Sequence, residues 1–137
     1  MRALHLAAGA ALAALICGAG GPSNAHDGLV QPEGPAVGVG MICNTPDQAR
    51  QYLDYRAGGA VSEEAMKRVN DAAQSPHACG VAAIAFVRDK MLHCHFVENK
   101  LLEIVRVNVL AGFDGRSWQD MPSVVQYAVM EGKGDAI

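Results

Sequence analysis

The segment His93–Cys94–His95 carries the residue types in this chain that could do chemistry. A thiol beside an imidazole is the pair that many nucleophilic enzymes use, provided that both groups lie on one side within hydrogen-bond reach. Two histidines two residues apart could also share a metal ion, although structural zinc uses four ligands and catalytic zinc at least three. The segment therefore has three interpretations: a catalytic pair, part of a metal site, or an ordinary β-strand.

The apolar residues around this segment favour the strand, in which side chains alternate between two faces. Cys94 then lies with Leu92 and Phe96 on one face. His93 and His95 lie on the other face, so a catalytic pair with the thiol would require a bulge. We interpret Cys94 as a buried free thiol that packs like a small apolar residue, and we assign no catalytic residue.

A metal site remains the alternative because of the histidine at position 26. If a leader is cleaved after Ala25, the new amino terminus is His26, whose free amine and ring can chelate copper. This start resembles secreted copper proteins of the histidine-brace type. The alternative hypothesis is a periplasmic copper- or zinc-binding protein that uses His26 with His93 and His95. The leading interpretation assigns no metal and no cofactor, because chain ends are usually mobile.

The start of the chain has the pattern of a secretory signal peptide. Arg2 precedes an apolar run, and Ser23 and Ala25 fit the −3 and −1 positions of a cleavage site. A lipid anchor on Cys17 is the alternative, but Ile16 is not the small residue that such a site needs. We expect a periplasmic or secreted protein with a signal peptide over 1–25, a flexible lead-in over 26–36, a single globular domain over 37–131 and a frayed tail over 132–137.

Length and composition limit the class of partner. The chain has 137 residues, which suits one ordinary domain, and a net charge of −3 with no basic patch. We therefore expect no nucleic-acid partner. The apolar run near the start is shorter than the roughly 20 residues that span a bilayer, and no later stretch qualifies, so we expect no membrane span after cleavage.

The cysteines predict one disulfide bridge. Thiols oxidise outside the cytoplasm, and cleavage of the leader leaves Cys43, Cys79 and Cys94. Cys43 ends the first predicted strand and Cys79 begins the second. A Cys43–Cys79 bridge would close the loop between them and stabilise the domain by about 3–4 kcal/mol. The odd count means that one cysteine is free or joins another molecule, and we expect Cys94 to be that cysteine.

The predicted elements follow the order strand, two helices, four strands. Thr45, Pro46 and Gln48 form a capping box at the first helix, and Ser62 caps the second. Hairpin turns are predicted at Asp89–Lys90 and Glu98–Asn99. The order predicts an α+β fold in which a two-helix hairpin is inserted after the first strand of a five-stranded antiparallel sheet. Such a sheet could curl into a small, open barrel of the SH3-like type.

Two polar or aromatic features remain. The segment 111–123 is predicted to be a loop, and it carries Trp118, which either anchors a partner or folds down to plug one end of the barrel. We favour the plug, because a large aromatic ring is more often buried. Arg106 and Asn108 share a face of one predicted strand. Near the two histidines they could form a weak anion site, and otherwise they are the solvated side of a half-covered sheet.

The segments "MICNTPDQA", "ACGVAAIAFVRDK", "KLLEIVRVNVLAG" and "QYAVM" resemble a group of short, uncharacterised exported bacterial proteins. That group shares Cys-Asn-Thr, Ala-Cys-Gly-Val-Ala and Ile-Val-Arg-Val segments, and the resemblance covers about residues 37–130. The group brings no established activity, and the segment 93–95 is not part of its shared pattern.

The sequence favours a small exported, disulfide-stapled binding or interaction module without catalytic activity. Its partner would be an unknown protein or a small molecule. An enzyme that uses Cys94 is the third hypothesis, after the metal-binding protein.

Overall fold

The structure is a computed structural model that describes residues 34–132. The predicted signal peptide, most of the predicted lead-in and residues 133–137 of the predicted tail lie outside these residues. The chain forms, in order, β1 (Ala36–Cys43), α1 (Pro46–Ala57), α2 (Ser62–Ala73), β2 (Cys79–Val97), β3 (Lys100–Phe113) and β4 (Trp118–Glu131).

The sheet has four strands in the described part of the chain, so the predicted five-stranded sheet is wrong. Each strand is antiparallel to its neighbours, and β1 pairs with both β2 and β4. The sheet is thus a closed barrel in the order β1-β2-β3-β4, rather than the open SH3-like form. The helical hairpin does follow the first strand, as predicted.

The missing strand is explained by the length of β2, which runs for 19 residues and contains both segments predicted as separate strands. Asp89–Lys90 is not a hairpin turn. A two-residue turn needs positive φ at its central residues, and neither residue is among those with positive φ. The pairing with β3 instead continues from Arg88↔Val107 to Lys90↔Arg106 across a β-bulge, which absorbs the extra residue without ending the strand.

The second predicted turn is confirmed. Glu98 and Asn99 have φ values of 51° and 64°, and the flanking Val97 and Lys100 are paired partners. Two left-handed residues between paired strands make the tight turn whose twist matches that of the strands. The turn of the β2–β3 hairpin therefore lies at the position predicted from the sequence.

The first helix begins as predicted. The Thr45 Oγ1 atom accepts a hydrogen bond from the Gln48 backbone N–H at 3.2 Å, and the Thr45 N–H donates to Gln48 Oε1 at 3.1 Å. This capping box satisfies two backbone donors at the helix start. In α2 the cap is Val61 rather than Ser62. The Ser62 hydroxyl lies 2.7 Å from the Tyr52 hydroxyl and ties the two helices together.

The core has two parts, one inside the barrel and one between the barrel and the helices. The inner part consists of side chains from β2, β3 and β4: Ile84, Phe86, Val105, Val107, Val109 and Ala128. The outer part joins both helices to the outer face of the sheet: Met41, Cys43, Ala49, Tyr52, Leu53, Ala65, Val69, Cys79, Ile104 and Val129. The helices are therefore integral to the domain, because they cover apolar strand residues.

One glycine in β1 suits this arrangement. A side chain at Gly40 would place its Cβ atom 3.3 Å from the Val129 carbonyl oxygen, so glycine allows β1 to approach β4 where the barrel closes. Neither helix among residues 34–132 combines the length and hydrophobicity needed to cross a membrane.

Candidate functional site

The predicted disulfide is present. Cys43 and Cys79 are directly opposite in the β1–β2 pairing, with an S–S distance of 2.01 Å and a Cα–Cα distance of 4.1 Å. Both residues are fully buried, at 0% and 1% exposure. The bridge joins the two strand ends from which the helical hairpin leaves and returns, which confirms the prediction.

Asn70, which the sequence analysis missed, supports this junction. Its side-chain amide donates to the Cys79 carbonyl oxygen at 3.0 Å, and its Oδ1 atom accepts from the Cys79 N–H at 2.8 Å. These two bonds mimic a strand partner for the buried end of β2, where an unpaired backbone group would be costly. An asparagine late in a helix looks like a solvated residue, so only the fold reveals this role.

Cys94 is buried, at 6% exposure, while His93 and His95 are exposed. This alternation separates the thiol position from both imidazoles. The cysteine is not a free thiol, however: it is disulfide-bonded, and none of the described cysteines is free. Phe96 departs from the predicted core face, because its side chain is 53% exposed.

The structure describes two of the three histidines in the metal hypothesis. His93 lies opposite Ile104 and His95 opposite Leu102 in the pairing with β3. His26 lies outside the described residues. Within residues 34–132 there is no group of three or more His, Cys, Asp or Glu residues that could hold a metal ion.

The predicted anion site at Arg106 and Asn108 lies beside an acidic side chain, Asp89. Arg106 lies opposite Lys90, and its guanidinium lies 3.3 Å from a carboxylate oxygen of Asp89. Asn108 lies two cross-strand pairs further on, opposite Val87. The ion pair with Asp89 reduces the attraction of Arg106 for a free anion, so this patch is a weak candidate site.

Trp118 does not plug the barrel. It is the first residue of β4, opposite Phe113 at the end of β3, and its side chain is 45% exposed. The two rings pack with centroids 5.5 Å apart and a tilt of 48°, a separation at which aromatic pairs attract each other. Phe113 and Met121 are also exposed, each at 43%. We call residues 112–121 the hairpin tip.

Strand pairing explains why the hairpin tip is exposed. The segment 111–123 is mostly strand rather than the predicted loop, because β3 and β4 resume pairing after a shift in register, from Ala111↔Asp120 to Phe113↔Trp118. β1 pairs with β4 only from Tyr127 to Val129. The tip therefore extends past the part of the barrel where β1 joins β4. Among the described residues, its contact with a strand outside its own hairpin is at its base, where Gly112 pairs with Ile84 of β2.

The turn at the end of the hairpin tip is held by Asp114. Its Oδ1 atom accepts hydrogen bonds from the backbone N–H groups of Arg116 and Ser117 at 2.8 and 2.9 Å. The Gln119 side-chain amide donates to Oδ2 at 3.3 Å. Gly115 has a φ of 96°, a conformation that favours glycine. These contacts fix the turn and so fix the position of the aromatic pair beside it.

The same contacts give the turn a pH dependence. The N–H groups of Ser117 and Arg116, in that order, lower the pKa of Asp114 below its ordinary value because they stabilise the carboxylate. A lowered folded-state pKa means that the stabilisation is present at neutral pH and is lost as the pH falls through that lowered pKa.

We expect the turn to loosen in an Asp114→Ala variant. Amide hydrogen exchange at Arg116 and Ser117 should become faster at neutral pH, because both N–H groups lose their acceptor. The Asp114→Asn variant, which keeps an acceptor oxygen, should retain part of the protection. Equal exchange rates in all three proteins would show that the carboxylate does not hold the turn.

No protein-family model, curated protein or solved structure matches this chain. Among the described residues, the hairpin tip combines exposed aromatic side chains with a fixed backbone.

Proposed function

We propose that this protein is a small exported binding module without catalytic activity, and that its hairpin tip contacts a protein partner. The observation that carries the proposal is the exposed, mutually packed pair of Phe113 and Trp118 at the end of a structured hairpin. The disulfide bridge suits an oxidising compartment such as the periplasm or the extracellular space.

The composition of the hairpin tip supports binding to a protein. Phe113, Arg116, Trp118 and Met121 belong to the residue types that are enriched in protein interfaces. Tryptophan in particular often contributes a large share of the binding energy when a partner covers it. Single exposed apolar residues are common on protein surfaces, but here three large apolar side chains occur within nine positions along one hairpin.

The fixed backbone of the hairpin tip also supports this function. Ordering a loop during binding reduces the affinity, because the loop loses conformational freedom. The contacts of Asp114 and the strand pairing of Phe113 with Trp118 order the tip before any partner arrives. A preorganised aromatic surface binds with a smaller entropic penalty.

A protein is favoured over a small molecule or a membrane by the shape and charge of the tip. Small-molecule sites are concave, whereas the tip is the end of a projecting hairpin. Adsorption to anionic membranes usually requires several basic residues. The tip has one basic residue, Arg116, beside two acidic ones, Asp114 and Asp120.

Photo-crosslinking tests the proposal. A benzophenone amino acid replaces Gln119 beside the aromatic pair in one variant, and the exposed Lys67 of α2 in the control. We expect illumination of cells to give one discrete adduct with a protein partner for the variant at position 119 and none for the control. Mass spectrometry of the adduct identifies the partner.

Two results would contradict the proposal. One is an equal set of adducts from both positions, which indicates nonspecific contact. The other is co-sedimentation of the purified protein with lipid vesicles that is lost in a Trp118→Ala variant, which indicates a membrane surface instead.

A further inference from the structure

A groove lies near the start of β3 and the end of β4, away from the hairpin tip, and no residue of the tip lines it. It has a volume of about 340 Å³ and lies between the helical hairpin and the outer face of the sheet. This volume falls within the range of about 300–1,000 Å³ that is typical of ligand sites. The groove draws its walls from α1, α2 and all four strands.

The floor of the groove is apolar. It is formed by aliphatic side chains from each strand: Val39, Met41, Val81, Leu102 and Val129. Val39 and Val81 are unusually exposed for valine, at 74% and 64%, and Val37 continues the same face of β1 at 68%. An apolar strip therefore runs from the groove along β1.

The helical side of the groove is polar. The Tyr52 and Ser62 hydroxyls and Arg56 line it, and β3 and β4 add the charged side chains of Lys100 and Glu131 at the edge of the groove. Glu131 already lies 3.4 Å from the Lys100 ammonium. Arg56 is thus the cation in the groove with the weakest pairing.

Arg56 has an incompletely satisfied side chain. Only 19% of the side chain is exposed, and its nearest carboxylate oxygen, on Glu98, is 3.8 Å away. The Glu98 side chain is itself 78% exposed, so this pair contributes little. The Nε atom of Arg56 is buried and has no hydrogen-bond acceptor among the described residues. A buried donor without an acceptor is uncommon and calls for a partner.

We propose that the groove binds a medium-chain fatty acid. Its carboxylate accepts hydrogen bonds from the Arg56 guanidinium in place of Glu98, a geometry that suits the planar fork of arginine. Its hydrocarbon chain lies on Val39 and Val81 and leaves the groove along Val37. The hydrophobic effect then favours binding, because both the chain and the exposed valines lose contact with water.

The apolar floor favours a hydrocarbon chain over a peptide carboxyl terminus. A peptide carries a backbone N–H and C=O group at each residue, and each needs a partner when it is removed from water. The floor side chains of Val39, Val81 and Leu102 offer none. A fatty acid needs polar partners only at its carboxylate, where the groove has them.

Isothermal titration calorimetry with decanoate, below its micelle concentration, tests the site. We expect saturable one-to-one binding to the wild-type protein and at least tenfold weaker binding to Arg56→Gln. The matched control, Arg50→Gln, removes an exposed arginine of the same helix and should bind as the wild type does. Methyl decanoate, which lacks the charge, should also bind at least tenfold more weakly.

The Glu98→Gln variant is expected to change the affinity for decanoate in the opposite direction to Arg56→Gln. It removes the carboxylate that competes for Arg56, so decanoate should bind more tightly than to the wild type, severalfold at low salt. Circular dichroism melting curves confirm that each variant is folded. Saturable decanoate binding that is unchanged in Arg56→Gln would overturn the site, as would no binding at millimolar decanoate. Weak binding shared by all variants indicates adsorption and overturns it too.

The fatty-acid site is independent of the proposed function at the hairpin tip. Trp118→Ala should leave decanoate binding unchanged, because Trp118 does not line the groove. If no crosslink forms at position 119, the proposed fatty-acid site in the groove still stands. If decanoate does not bind, the proposed function of the hairpin tip still stands.

Discussion

Replacing both Cys43 and Cys79 with alanine is expected to lower the free energy of unfolding by about 3–4 kcal/mol. The bridge closes a chain segment with a sequence separation of 36 residues, and its loss restores conformational freedom to the unfolded chain. In a domain of this size such a loss corresponds to a fall in melting temperature of roughly 12–30 °C. Urea titration and thermal melting of the double variant measure it.

The variant keeps Asn70 and the β1–β2 pairing, so the native fold should be retained at low temperature. A Cys43→Ser, Cys79→Ser double variant is the matched control, because it also lacks the bridge but keeps an atom at each γ position and leaves Cys94 unchanged, and it should lose a similar stability. A melting temperature within about 3 °C of the oxidised wild type would mean that the bridge adds almost nothing beyond the packing of the core, since each kcal/mol corresponds to several degrees.

Leu53→Ala should destabilise the domain by about 2–5 kcal/mol. Leu53 is 1% exposed and packs in the outer core, where α1 covers the sheet. Truncation removes apolar contacts and leaves a cavity that the closed barrel cannot readily fill. Chemical denaturation monitored by circular dichroism gives the change in free energy.

Gln51→Ala is the matched control on α1, because Gln51 is exposed and alanine suits a helix. Its stability should stay within about 0.5 kcal/mol of the wild type. If the leucine variant were as stable as this control, the helical hairpin would be an appendage rather than part of the core.

The helical hairpin and the turn between β2 and β3 could be predicted from the sequence because their signals are local. The capping box at Thr45 and Gln48 involves residues three positions apart, and the turn at Glu98–Asn99 depends on two residues. The disulfide was predictable for a different reason. Its two cysteines flank the helical hairpin at the ends of strands that had to meet.

The barrel was harder to predict because it depends on contacts between distant residues. Asp89–Lys90 has the polar character of a turn, yet the pairing of β2 with β3 carries the strand through it with a bulge. The choice between turn and bulge is made by the partner strand. The same long-range pairing makes the two predicted strands on either side of Asp89–Lys90 into the single strand β2. It also closes the four described strands into a barrel.

The two proposed sites could not be predicted from the sequence for the same reason, because both depend on contacts between distant residues. The exposure of Trp118 follows from the register in which β3 and β4 extend past the barrel, and the sequence alone favoured burial of that ring. The groove at Arg56 is formed by two helices and four strands. No spacing along the chain connects Arg56 with Val81 or Lys100.

The most direct test of the proposed function is the dissociation constant of the crosslinked partner, measured for three purified proteins. Trp118→Ala should weaken binding by roughly thirtyfold or more, which corresponds to the loss of about 2 kcal/mol at an interface hot spot. Phe96→Ala is the matched control, since Phe96 is an aromatic residue near the end of the β2–β3 hairpin and, at 53%, is slightly more exposed than Trp118 at 45%. It should bind as the wild type does. Equal dissociation constants for Trp118→Ala and the wild type would contradict the assignment of the hairpin tip as the binding surface.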